Sequence, residues 1–159
     1  MPNEKVEQLF RVAREFRDWC REEPNGSVDP ETDLRRCGVL LARLYAEGIA
    51  AVGPAEFDES IDETDEPESE WRGVYSRAGR LPFDFYSVMF DPHAFPAEEA
   101  VVGSLADDIA DIDRDLGRAL SLYDRGHLAE AQWFIVLHFR IHWGGHAASA
   151  LHAIHCWNH

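Results

Sequence analysis

Lysine is nearly missing from this chain. Lys5 stands alone beside fourteen arginines, and the fifteen basic residues face thirty acidic ones, for a formal charge of -15. A phosphate backbone needs a basic face to bind, so this balance excludes a nucleic-acid partner and opposes docking on anionic lipid. Cysteine is scarce too. Cys20, Cys37 and Cys156 are far apart and form no CxxC pair, which excludes a disulfide framework and a zinc knuckle. No long apolar run is present. From Ile141 onward there is no Asp, Glu, Lys or Arg, yet five histidines and the Gly144-Gly145 pair interrupt the stretch, so it does not read as a membrane span. The opening MPNEKVEQLF lacks the apolar core of a secretory signal, and a cytoplasmic protein is expected. HExxH, ExxH, GxSxG, Walker and GxGxxG patterns are all absent. With no catalytic residue to name, a non-enzyme is the expectation.

What is present is helical periodicity in 159 residues, a length that supports one domain over residues 1–159 with its own core. Val6, Leu9, Phe10, Ala13, Phe16 and Cys20 recur at three- and four-residue steps. Asn3 reads as the N-cap of that helix, and Pro24-Asn25-Gly26 as its stop. Asp29-Pro30 opens a second helix with a cap and a first-turn proline, ending near Gly53-Pro54. Residues 54–70 hold nine acids and no base and predict a mobile, solvated loop. They do not form a calcium loop: counted from Asp58, Glu63 takes the place of the required glycine and Ser69 that of the bidentate glutamate. The aromatic segment 71–90 predicts one or two short helices on the bundle. Helices over 96–125 and 128–157 follow, and the short link between them predicts an antiparallel hairpin. No strand pattern stands out. The fold expectation is all-α, a five- to six-helix bundle.

Two clusters carry candidate chemistry. LADDIADIDRDL places Asp108, Asp111 and Asp115 on one flank of the fourth helix, with Asp113 nearer its apolar stripe. The last helix places His138, His142 and His146 at i, i+4, i+8, and His152 returns to the same side. Inward-facing His and carboxylate side chains on neighbouring helices are the donor set of bundle metal sites. Antiparallel pairing sets Asp115 level with His138, Asp111 with His142 and Asp107 with His146. The handedness of two straight helices, however, sends the Asp flank and the His sector to the same side of the pair, where they do not converge between the helices. It leaves Asp113 as the acid facing the histidines. The residues thus give two readings. One is a structural polar network of Asp113, His138, His142 and His152. The other is a metal site, with a divalent transition metal as candidate cofactor, drawn from His138, His142, His146, Asp108, Asp111 and Asp115.

FDFYSVMFDP, VVGSLADDIADIDRDLGRALSLYDRGHLAEAQW and HWGGHAASALHAIH resemble a bacterial family of small helical proteins, the domain of unknown function numbered 5063. VEQLFRVAREFRDWC and LLARLYAEGI fit it as well. The resemblance implies an all-helical fold and no activity, substrate or cofactor. The expected function is a helical binding or regulatory module, its partner a protein or a small molecule. The alternatives are a metal-binding bundle protein and a structural or assembly protein, with a homo-oligomer as a candidate state.

Overall fold

A computed structural model describes residues 3–23, 26, 28–53 and 66–157. Among these the chain forms α1 (Glu4–Cys20), α2 (Pro30–Ala50), α3 (Glu68–Ala78), β1 (Phe85–Val88), β2 (Val101–Ser104), α4 (Leu105–Asp124), α5 (Leu128–Ile141) and α6 (Trp143–Trp157). The all-α bundle holds, with a two-stranded antiparallel ribbon added. The caps are those the sequence marks. Asn3 accepts from the Val6 N–H, and Asp29 from the Thr32 N–H, each at 3.0 Å.

α4 is the central helix and packs against α1, α3, α5 and α6. Leu105, Ile109, Ile112, Leu116 and Ala119 are fully buried on it, which removes most of its apolar stripe from water. α2 closes the bundle by lying on α1 and α6. Gly126, at φ 87°, turns the chain from α4 into α5. The left-handed conformation there favours glycine, and the His127 N–H reaches back to the Leu122 carbonyl at 3.0 Å to finish the helix end.

Three sequence expectations need correction. The fourth helix begins at Leu105 rather than near 96, because residues 101–104 pair with 85–88 instead. Ser104 and Asp84 fix that start. Ser104 Oγ accepts from the Asp107 N–H at 3.2 Å, and Asp84 Oδ1 accepts from the Ala106 N–H at 2.9 Å, meeting the donors a helix start leaves open. Second, Glu68 and Glu70 belong to α3, not to a loop; the remainder of the expected acidic loop, 54–65, lies outside the described residues. Third, the last helix is two. His142 leaves helical backbone at φ -145°, ψ -85° between α5 and α6. Trp143, fully buried, anchors the joint by donating its indole N–H to the Ile135 carbonyl at 3.0 Å. Among the described residues no helix is long and apolar enough to cross a membrane.

Candidate metal centre

α4 shows Asp108, Asp111 and Asp115 along one flank, and the α5–α6 segment lies across them. α5 delivers His138, the joint delivers His142 and α6 delivers His146. His138, on α5 ahead of the break, already reaches the aspartate flank, and His142 and His146, at and beyond the break, lie on it too. His138 Nδ1 and His142 Nδ1 lie 3.1 and 2.6 Å from Asp115 Oδ2, and His146 Nδ1 lies 2.7 Å from Asp108 Oδ1. The expected divergence of the two clusters is overturned. The expected levels hold for Asp115 with His138, while His146 pairs with Asp108 in place of Asp107.

Asp113 does not meet a histidine. It is 1% exposed and faces α1, where Arg17 Nε donates to Oδ1 at 3.1 Å and Arg21 Nη2 to Oδ2 at 2.8 Å. Both carboxylate oxygens are thereby engaged on the opposite flank of α4. His152 is exposed, beside Phe83, Cys156 and Trp157 and apart from the cluster. The polar network of the structure is thus His138, His142 and His146 with Asp115 and Asp108, extended by Tyr86, whose hydroxyl donates to Asp108 Oδ2.

Asp111 occupies the middle. Its Oδ1 accepts from Trp71 Nε1 at 2.8 Å and from Arg114 Nη2 at 2.7 Å. Its Oδ2 points at two imidazoles, 4.0 Å from His142 Nε2 and 3.7 Å from His146 Nε2. Donor atoms sharing a tetrahedral ion at about 2.0–2.1 Å stand about 3.3 Å apart, so Asp111 Oδ2 would close on His146 Nε2 by about 0.4 Å and on His142 Nε2 by about 0.7 Å, within a trio whose donor atoms all lie inside 4.8 Å of one another. The other trio, Asp115, His138 and His142, is spaced differently. Its 2.6 Å contact is a hydrogen-bond length, shorter than two ligands of one ion keep. Each of His142 and His146 hence presents Nδ1 to a buried carboxylate and Nε2 to Asp111.

The electrostatics follow this geometry. The hydrogen bond to Asp108 raises His146 above its ordinary value, against the opposing effect of burial, and Asp111 and Asp107 add to the rise. Burial works to raise Asp115, but hydrogen bonds and charge from His138 and His142 outweigh it and leave it below the usual carboxylate range. Burial, then the bond to Asp108, pushes the Tyr86 phenol well up.

Sequence reasoning missed Trp71 and Tyr86, both taken as packing rings. The available signal was their polar handle, since half-buried Trp N–H and Tyr O–H groups usually find an acceptor. A cavity of about 520 Å³ adjoins the centre, walled by Trp71, Arg114, Arg118, His138 and His142 among others.

Residues 2–159 match the family described as a domain of unknown function, DUF5063. The chain belongs to that family. No curated protein matches it. The crystal structure of protein BF1032 from Bacteroides fragilis is similar in fold, with a TM-score of 0.81 at 16% identity, covering 99% of this chain and 94% of that one.

Proposed function

We propose that this DUF5063 protein binds a divalent transition-metal ion through Asp111 Oδ2, His142 Nε2 and His146 Nε2. One observation carries the reading: two imidazole Nε2 atoms converge on the carboxylate oxygen of Asp111 that accepts no hydrogen bond from Trp71 or Arg114. The same imidazoles are braced from behind by Asp115 and Asp108. An imidazole that donates Nδ1–H to a carboxylate keeps its Nε2 lone pair free and aimed, which is the usual support of a ligating histidine. Two nitrogens and one oxygen suit zinc, iron(II), cobalt(II) or manganese(II), and three protein ligands leave coordination positions open. His142 is partly exposed, which gives the ion a route in.

Untagged protein purified without chelator should carry about one such ion per chain by elemental analysis, or take up one equivalent of added zinc. EDTA should lower its melting temperature, and Asp111→Asn and His146→Ala should abolish uptake. Protein that neither holds nor takes up a metal ends the reading.

A second reading rests on the hydrogen bonds themselves. Asp115 and Asp108 already satisfy three histidines at 2.6–3.1 Å, so the cluster also works as a polar network clamping α5 and α6 to α4. Such a network supports a binding or regulatory module and predicts indifference to chelator.

A further inference from the structure

The metal reading leaves a separate cavity unused. It encloses about 300 Å³ where the C-terminal ends of α1 and α3 meet the start of α2, and it shares no wall residue with the 520 Å³ cavity. Trp19, Ala78 and Leu81, each 6–8% exposed, and Val28, 40% exposed, give it apolar surface. The Trp19 indole N–H is spent on Asp33 Oδ1 at 2.9 Å, which leaves the ring as its contribution. Three acids and three arginines also line the cavity, an even balance in a chain where acids outnumber bases two to one. Two of the acids are engaged. Glu22 takes both Nη groups of Arg36, at 2.8 and 3.1 Å, and Asp33 takes the indole and lies 3.5 Å from Arg36. The third, Glu23, is exposed. Arg77 and Arg80 have neutral acceptors instead. Arg77 Nη1 donates to the Cys20 carbonyl at 3.2 Å, and Arg80 Nε to the Arg77 carbonyl at 2.9 Å. Among the described residues neither guanidinium has a carboxylate partner, and each keeps further N–H donors on its planar group.

We propose that this cavity binds a small molecule with an apolar body and one anionic group, a carboxylate or a phosphate. The body covers Trp19, Ala78, Leu81 and Val28, and the oxyanion takes N–H groups of Arg77 and Arg80. A guanidinium fork matches carboxylate and phosphate oxygens two at a time. Apolar surface with a few convergent polar groups is the usual make-up of a small-molecule site, and this volume stands at the small end of the usual range. Binding here needs no metal, so the proposal stands or falls apart from the metal reading.

The test uses untagged, full-length protein stripped with EDTA, so that no anion binds through an ion. Benzoate, phenyl phosphate and neutral benzamide are titrated in separately and followed by calorimetry. The expected result is saturable binding of benzoate, phenyl phosphate or both, with benzamide about tenfold weaker or worse, the loss of a charged hydrogen bond. A response to phenyl phosphate alone assigns a phosphate-type ligand; a response to benzoate alone assigns a carboxylate. Arg80 is exposed, so Arg80→Gln should fold as the parent does and raise the anion Kd about tenfold. Arg77→Lys, which keeps the charge but not the fork, should raise it severalfold. Arg11→Gln, an exposed arginine outside the cavity, should leave it unchanged, which separates the site from general charge. Failure of both anions to bind at millimolar concentration overturns the proposal. So does benzamide binding as tightly as benzoate and phenyl phosphate, or an anion Kd that Arg80→Gln moves no more than Arg11→Gln does.

Discussion

The two flanks of α4 carry acids of the same kind and put them to different use. On one side Asp113 is sealed by Arg17 and Arg21 from α1. On the other, Asp108, Asp111 and Asp115 face His138, His142 and His146. Arginine is always charged and has no lone pair to give, so the first flank is a closed ion cluster. Histidine offers a lone pair and exchanges a proton near neutrality, so the second flank can hold an ion. The partner, more than the acid, decides whether a buried carboxylate is mortar or chemistry.

The largest effect should come from breaking the arginine flank. Asp113→Ala leaves two guanidinium groups facing an emptied, buried position, and removing one partner of a buried pair costs about 3–5 kcal/mol. Denaturant midpoints of parent and variant measure it. Metal uptake by the folded variant should be unchanged, because Asp113 touches none of the proposed ligands. Loss of uptake in a variant that still folds would show that the two flanks are coupled, and the contrast between them would fail.

That contrast was only half legible in the sequence. The spacing of Asp108, Asp111 and Asp115, and of the histidines, marks the right residues, because a shared helix face follows from rotation per residue alone. The heights were legible in part from the short link: His138 meets Asp115 as expected, while His142 and His146 hydrogen-bond Asp115 and Asp108 in place of Asp111 and Asp107. Convergence was not: His138 meets Asp115 from α5 itself, so the facing of the two helices differs from the straight-helix estimate, and the apolar pattern also runs straight through the break at His142. Asp113 was misassigned because its partners, Arg17 and Arg21, come from a helix nearly a hundred residues earlier, and no local rule supplies that pairing. The starts of α1 and α2 were legible from Asn3 and Asp29-Pro30, whose caps act locally. The ribbon was hidden because two four-residue strands are too short to show alternation.

A smaller effect isolates the joint that aims the histidine flank. A Cβ on Gly144 would overlap the Phe139 carbonyl oxygen and ring, whereas one on Gly145 meets nothing within 4 Å. The tight approach is therefore at Gly144, which is buried, while Gly145 faces solvent. Gly144→Ala should cost about 1–3 kcal/mol by overpacking and weaken zinc uptake by shifting His142 and His146. Gly145→Ala, exposed in a helix, should be neutral or stabilise by up to about 1 kcal/mol. Equal melting temperatures for the two variants would remove the steric account of the joint.

The smallest effect is a slope with pH, and it separates the network from the metal centre on the histidine flank. In metal-free protein the raised pKa of His146 means that its contribution is present below the unfolded value of about 6.5 and fades as pH rises through the folded value. The lowered pKa of Asp115 makes its contribution present above about pH 4 and lost as pH falls through its folded value. Stability from this flank should therefore be greatest between about pH 4 and 6.5 and decline toward pH 8.5. A bound ion reverses the trend, because ligating histidines must be neutral: its stabilisation grows from pH 5.5 to 8.5. Melting measured at pH 5.5, 7 and 8.5, with and without EDTA, for parent and His142→Ala reads both. The metal centre predicts an EDTA-induced drop that widens with pH in the parent and is absent in the variant. Superimposed curves for the parent, with no ion found by elemental analysis or taken up from added zinc, leave the histidine flank a hydrogen-bonded clamp, as structural as the arginine flank across the helix.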